Sequence, residues 1–393
     1  MAAVSPILPE LDFAAEDLPD LHEVLAELRA KGPISPIVFA GETIWLVNDY
    51  AHVRRFIQDD SDLSAPAAYE IIVKPSAGTV LPTMTGQQHR RNRLVVSKVF
   101  QPAKMNEFVD SIFRGEAHAL ADAFEGSEHV DLVAAFTRIY TFNNIAAMLG
   151  LPREDVDKLQ AWADAMMRCF IEPEPAKQAG VEITEHLLPL VHERRDAPKD
   201  DLLSLLTHAR AEGERLTDEE VIAFCRNLFP AAIDTSTNSM GSIISKVLED
   251  PALWKALSGD PTLRQAAVEE GLRWEPPLVM VPRRCVREIE IGGYRIEVGD
   301  DIRLCIAGAH DDTAEYADPR LFQIDRGAKN LTFGHGEHFC LGTQMARRVL
   351  ETAIGVLSER FPEMTLDPER PPQILGGVLR GPRELHVLPR GAA

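Results

Sequence analysis

The sequence predicts a mainly α-helical fold with a minor β component, on three observations. Between residues 104 and 206 apolar positions recur at helical spacing almost without pause, interrupted only near Gly126, Gly150 to Pro152 and Glu172 to Pro175. A further helical run opens on a capping box, Thr217 with Glu220 three residues on, and continues to Asp250 before Pro251. Strand-like runs are few and short. Residues 37–47, with Gly41-Glu42 in the middle, read as a hairpin, and residues 288–296 read as two strands around Gly292-Gly293.

The remaining elements fall in between. Residues 18–31 have helical spacing and are stopped by Gly32-Pro33, and a helix is expected over 50–57. Residues 64–86, rich in Ala, Pro, Ser and Gly, read as an irregular loop, and 89–100 as a helix ending before Pro102. No linker, low-complexity tract or repeat divides the 393 residues, so one domain over 1–393 is expected, with 1–17 as a loose N-terminal segment.

Composition excludes several classes. A formal charge of −20 argues against nucleic acid or an anionic membrane as the main partner. The first residues lack a basic stretch followed by a long apolar run, so neither a signal peptide nor a membrane anchor is expected. Cys169, Cys225, Cys285, Cys305 and Cys340 are odd in number and scattered, which fits a reducing cytoplasm better than a disulfide framework.

The most informative stretch is 331–342, Leu-Thr-Phe-Gly-His-Gly-Glu-His-Phe-Cys-Leu-Gly. It sets Cys340 behind a glycine-bent loop and just ahead of a helical run over 343–357. Free N–H groups at a helix start stabilise an anion, so a thiolate there suits a soft metal ion, haem iron in particular. A lone cysteine is more often a small buried hydrophobe. His335, His338 and Cys340 also allow a zinc reading, but structural zinc sites want four ligands and no paired Cys-x-x-Cys partner occurs.

Taken together, Phe333, Gly334, Gly336, His338, Cys340 and Gly342 resemble the haem-binding loop of the cytochrome P450 family. Six such positions recur by chance on the order of once in 10⁷ starts. Three further motifs resemble the family in the same order along the chain. Gln88-His89, Arg93 and the following Leu-Val-Val-Ser-Lys-Val-Phe look like its third major helix, which implies His89 and Arg93 at the haem propionates. Ala231-Ala-Ile-Asp234-Thr235 looks like its oxygen-binding groove, with alanine at both small positions. Glu270 and Arg273 match its Glu-x-x-Arg pair, with Arg326 as the implied third partner. Arg283, with Arg284 as the alternative, is implied as a propionate clamp, and Arg380 to Val387 as the closing hairpin. The resemblance implies a single-domain cytochrome P450 fold with haem b between the long central helix and the cysteine loop. Cys340 is then the axial ligand of the iron, and Phe333, His338 and Gly342 line the cofactor.

Each of these has a plainer reading: an exposed i,i+3 pair contributes only about 0.2–0.5 kcal/mol, and a threonine mid-helix is common. Mid-helix, Thr235 is expected to bond the carbonyl of Ala231, and Pro230 to kink the helix against the carbonyl of Arg226.

A thiolate ligand favours O–O cleavage, with Asp234 and Thr235 as the catalytic proton path. The function read from the sequence is a monooxygenase acting on a small to medium apolar organic molecule. By the family's positions the pocket would be lined by Asn227, Pro230 and Ala231, with Leu278, Val279 and Val281 as an apolar wall and residues 375–379 opposite. No nucleotide fingerprint is present, so electrons are expected from NAD(P)H through a separate ferredoxin and ferredoxin reductase. Arg90, Arg91, Lys98, Lys104, Arg347 and Arg348 would form the basic docking patch on a monomer. Alternatives are another haem-thiolate reaction, such as peroxide use, dehydration or nitric oxide reduction, and a haem carrier without turnover.

Overall fold

Helices dominate the computed structural model, which describes residues 5–14, 17–18, 20–169, 171–211, 213–327 and 329–391. Helix α1 (Leu21–Lys31) leads into strands β1 (Ile34–Phe39) and β2 (Glu42–Val47), then α2 (Tyr50–Gln58) and β3 (Leu63–Ser64). Next come α3 (Ala65–Ile72), α4 (Lys74–Ala77), α5 (Gly86–Ser97), α6 (Pro102–Phe108) and α7 (Arg114–Asp122). Strand β4 (Val130–Asp131) precedes α8 (Arg138–Met148), α9 (Val156–Met167), α10 (Pro173–Asp196) and α11 (Leu202–His208). A small hairpin, β5 (Arg210–Ala211) and β6 (Glu214–Arg215), opens onto the long α12 (Asp218–Val247), followed by α13 (Pro251–Gly259) and α14 (Pro261–Trp274). Strands β7 (Met280–Cys285), β8 (Ile289–Ile291), β9 (Tyr294–Ile296) and β10 (Asp301–Cys305) then lead to α15 (Ile306–His310) and α16 (Thr343–Arg360). The chain closes with β11 (Thr365–Leu366), β12 (Ile374–Leu375), β13 (Gly381–Pro382) and β14 (His386–Leu388).

Local chemistry explains the principal boundaries. The capping box of α12 is complete: the Glu220 amide donates to Thr217 Oγ1 at 3.2 Å and the Thr217 amide to Glu220 Oε2 at 2.8 Å. Asp250 and Asp260 cap α13 and α14, each directly before a proline in the first turn, where no amide is needed. The main sheet has the order β1-β2-β10-β7-β3, with β10 parallel to β2 and the other pairs antiparallel. One large apolar core joins α12 and α16 to the helices around them, and two smaller ones flank the sheet.

Three expectations need correction. Residues 64–86 are not an irregular loop but carry α3 and α4, because Ser64 Oγ accepts the Ala67 amide at 3.2 Å and Pro66 and Pro75 sit in first turns, where proline is tolerated. Residues 5–14 are not loose: the Ile7 and Phe13 amides donate to Pro36 and Val38 of β1, and Phe13 is fully buried. Residues 380–387 do not form one hairpin, since β13 pairs with β12 whereas β14 pairs with β11 and β4. Pro230 lies inside the span of α12.

A buried charge cluster ties the ends of the chain to the centre. His22 on α1 contacts Asp311 through Nδ1 at 2.5 Å and Glu275 through Nε2 at 2.8 Å. Arg380 reaches Glu275 at 3.0 Å, and Arg320 lies 3.4 Å from both carboxylates. Burial opposes the ionised form of all three titrating groups, but their mutual attraction outweighs it: His22 is raised, and Glu275 and Asp311 are lowered. A raised imidazole stabilises the fold below its ordinary value and loses that contribution as pH rises through the folded value, while the depressed carboxylates lose theirs as pH falls. The difference in melting temperature between the native chain and His22→Gln is therefore expected to be largest between the ordinary values of 4.5 for Glu275 and 6.5 for His22, and to shrink above that window. A melting series in which the difference grows with rising pH would contradict the charged assignment.

Candidate active site

Helix α12 is buried along most of its length, and its exceptions lie on one face. From 225 to 245 only Asn227, Ala231, Asp234, Thr235 and Asn238 are not buried, and Ala231 is exposed. Their spacing of four, three or four, and three or four residues makes a single stripe, so this face borders an interior space instead of packing. Gly381 closes one end, where a Cβ would meet Asn238 at 2.6 Å. Thr235 Oγ1 donates to the Ala231 carbonyl at 2.7 Å, as its position mid-helix predicts.

The remaining walls are less uniform than the sequence suggests. Leu278, bridged to Leu379, and Val281 are half-buried and available to a ligand. Pro230 and Val279 are buried, and Val279 belongs to the core behind α1, because consecutive residues of an extended segment face opposite sides.

The cysteine loop is held from below. The Cys340 amide donates to the Phe333 carbonyl at 2.9 Å, and the Gly334 amide to Leu331 at 2.8 Å. Gly336 has φ +75°, and a Cβ there would stand 2.8 Å from the Gln58 carbonyl, so α2 is packed too closely for a side chain. Arg347 lies over the Phe333 ring at 4.8 Å, and Gly342 caps α16. The Cys340 side chain is exposed, but to an interior space: its depth raises the thiol, against the Gly342 amide, the Thr343 hydroxyl and the charges of Arg93 and Arg347. Depth thus outweighs the helix start that was expected to favour the thiolate. Among the described residues no three His, Cys, Asp or Glu side chains group as metal ligands, which leaves the zinc reading without the further donors it needs.

Beside the loop sits a cluster that calls for anions. The His89 and His338 rings are 4.6 Å apart, Arg283 is 4% exposed, and Arg93 donates to the Phe339 carbonyl. His89 Nδ1 meets Glu337 at 3.0 Å, while its Nε2 is buried with no partner. Asp60, which the sequence did not single out, lies 3.5 Å from both Arg283 and His338. Burial pushes His338 down to about 4, lowers His89 and raises Asp60. Arg284 instead pairs with Asp301 at 2.8 Å on the other face of β7. The orphaned ring nitrogen and the buried guanidinium fit the two propionates of a haem, and the exposed cysteine fits its iron.

The Glu-x-x-Arg pair is buried, at 5% and 1% exposure for Glu270 and Arg273. Two 2.8 Å hydrogen bonds join the pair, and Arg326 adds a contact to Glu270 at 3.3 Å. Removing one partner of such a pair costs about 3–5 kcal/mol. His310, also missed by sequence reading, connects this pair to the cysteine loop: the Leu331 amide donates to Nε2 at 2.7 Å, so Nδ1 carries the proton and donates to the Arg273 carbonyl at 2.9 Å. Burial and the Arg273 charge push His310 down to about 3, which keeps this tautomer neutral. Thr332 Oγ1 adds a bond to the Leu272 carbonyl at 2.7 Å.

Asp234 lies midway along the stripe and is half-buried. Burial and the nearby charge of Asp164 push its carboxyl up to about 6, against the attraction of Arg138. Arg138 and Asp164 form an ion pair between α8 and α9, two partners without any sequence signature.

Comparison with known proteins agrees with this geometry. Residues 261–389 match the family model described as Cytochrome P450. The chain is 31% identical over 374 residues to the mycinamicin IV hydroxylase/epoxidase of Micromonospora griseorubida, covering 92% of this chain and 94% of that one. It is 31% identical over 356 residues to the vitamin D(3) 25-hydroxylase of Pseudonocardia autotrophica, covering 88% and 87%. The structure of cytochrome P450 CYP109Q5 from Chondromyces apiculatus superposes with a TM-score of 0.86 at 26% identity, covering 96% of this chain and 97% of that one. The chain belongs to the cytochrome P450 family of haem-dependent monooxygenases.

Proposed function

We propose that Cys340 ligates the haem iron and that the space along α12 receives an apolar organic substrate, which is hydroxylated or epoxidised with electrons from a ferredoxin. The observation that carries this reading is the pairing of an exposed interior cysteine with an exposed interior stripe on an otherwise buried helix. The bound haem supplies dioxygen activation and transfer of one oxygen atom to the substrate.

The chain's own residues then position and protonate. His89, Arg93, Arg283 and His338 hold the propionates, and Gly336 lets α2 support the loop from below. Thr235 Oγ1, donating to Ala231, keeps its lone pairs for a water in the space beside it. A carboxyl near 6 both takes and releases protons at neutral pH, so Asp234 supplies protons from the Arg138 and Asp164 side. Ala231, Leu278 and Val281 offer apolar contact, and Asn227 one polar group. The substrates in the names of the two hydroxylase relatives differ, so kinship does not select one.

The docking face for a ferredoxin is narrower than composition suggests. Arg91 is paired with Glu214 and Glu220, Lys104 with Glu107 and Asp200, Arg347 with Glu269 and Arg348 with Glu351. Lys98 donates to the Arg210 carbonyl at 2.7 Å. Arg90 remains without an ion pair among the described residues, four residues from the exposed Leu94, and Phe339 is exposed beside Cys340. A small apolar centre with a cationic edge supports an acidic partner.

The experiment that tests the ligand is the reduced carbonyl spectrum of purified protein: thiolate ligation should give the long-wavelength band, which Cys340→Ser should abolish. A native spectrum typical of imidazole ligation would refute the assignment. Thr235→Ala is expected to keep electron consumption within about twofold while product per electron falls about tenfold; unchanged coupling would remove Thr235 from the proton path. Arg90→Glu is expected to raise the KM for ferredoxin about threefold to tenfold at low salt, with the effect fading as ionic strength rises; a salt-independent effect would place the docking face elsewhere.

A further inference from the structure

We propose that Asp60 is a positioning residue of the haem cradle: it braces Arg283 and His338 behind the propionates and, as a negative charge fixed there, holds the reduction potential of the iron low. The inference rests on the haem reading above and deepens it. Asp60 lies in the turn between α2 and β3, and its two oxygens face different elements. Oδ1 is 3.5 Å from Arg283 Nε on β7, and Oδ2 is 3.5 Å from His338 Nε2 in the cysteine loop.

Neither neighbour has another carboxylate within ion-pair distance among the described residues. The remaining bonds of Arg283 go to the Pro282 carbonyl at 2.9 Å and the Phe56 carbonyl at 3.4 Å, and the His338 ring faces that of His89. A buried guanidinium with one carboxylate behind it takes its direction from that carboxylate. The arrangement leaves Arg283 Nη2 for a propionate. Burial raises the Asp60 carboxyl, while Arg283 and the Ala65 amide favour the ionised form, which is the one that can brace a guanidinium.

The charges around the cradle balance before the cofactor is counted. Arg90, Arg93 and Arg283 act on His89, His338 or Asp60, and against them stand Asp59, Glu337 and Asp60 itself. Two propionates therefore turn this edge of the haem net negative, which opposes the addition of an electron to the iron. Of the three carboxylates Asp60 is the best shielded: its side chain is 28% exposed against 53% for Glu337, and Asp59 is exposed. Water and salt screen its charge least, so it contributes most to the field at the iron. The plainer role, a tie between this turn and the Ala65 amide at the start of α3, needs an acceptor but no charge.

Spectropotentiometric titration of the haem-loaded protein separates the two roles. Asp60→Asn keeps an acceptor for the Ala65 amide and removes the charge. It is expected to raise the equilibrium constant for reduction by a given mediator about threefold to tenfold. Asp60→Ser is expected to shift the constant in the same direction and serves where the Asn variant does not fold, whereas Asp60→Glu restores the charge and is expected to return most of the native value. An unchanged or lowered constant in the neutral variants, with or without a loss of melting temperature, would overturn the inference. So would a Glu variant no closer to the native value than the neutral ones. The long-wavelength carbonyl band is expected in every variant, and its absence from the native protein would instead refute Cys340 as the ligand, so the two readings fail separately.

Discussion

The buried bond between Glu270 and Arg273 is the constraint from which the rest of the site follows. It places the end of α14 so that two of its carbonyls, from Leu272 and Arg273, receive Thr332 and His310. His310 in turn accepts the first amide of the cysteine loop, which makes the register of the loop depend on an imidazole kept neutral by depth. The loop reaches Cys340 only nine residues later, with Gly336 pressed against α2 on the way. A charged pair that would be negligible on a surface helix is therefore decisive here, because both partners are buried and each one's alternatives are poor.

Burial also governs the electrostatics of the site, and it acts with opposite sign on its parts. It raises the Cys340 thiol and the Asp234 carboxyl and lowers the imidazoles of His89 and His338, so each group is biased toward its neutral form. A cofactor that brings a metal cation to the sulfur and carboxylates to the imidazoles and guanidinium corrects these biases together. Asp234 receives no such correction and keeps a carboxyl able to exchange protons near neutrality. Its depth and its two charged neighbours come from three different helices.

The strong negative charge of the chain is distributed in a way that composition conceals. Four of the six cations that sequence reading gathered into one patch are spent on acidic neighbours, Glu214, Glu220 and Glu269 among them. Few basic side chains remain uncommitted near the cysteine loop, and the apolar Leu94 and Phe339 stand beside them. Glu107 and Glu351 neutralise Lys104 and Arg348 from the same helix, three residues on, whereas Glu214, Glu220 and Glu269 reach Arg91 and Arg347 from β6, α12 and α14, far away in sequence.

Local pattern alone determined the helical character of the chain, the cap at Thr217, the Thr235 hydrogen bond to Ala231 and the paired Glu270 and Arg273, because each rests on interactions within one turn. The loop around Cys340 was legible for a different reason: its glycines and cysteine satisfy backbone and ligand geometry that few other residues can. What only the tertiary structure decided is everything set by elements meeting at a distance. Whether 64–86 coils or folds into α3 and α4, which wall residues turn inward, which cations stay free and how far Asp234 is raised all depend on neighbours tens to hundreds of residues away. Asp60, His22 and His310 carry no motif, since an ionisable side chain acquires its role from the depth and charge around it, and those are properties of the packed molecule.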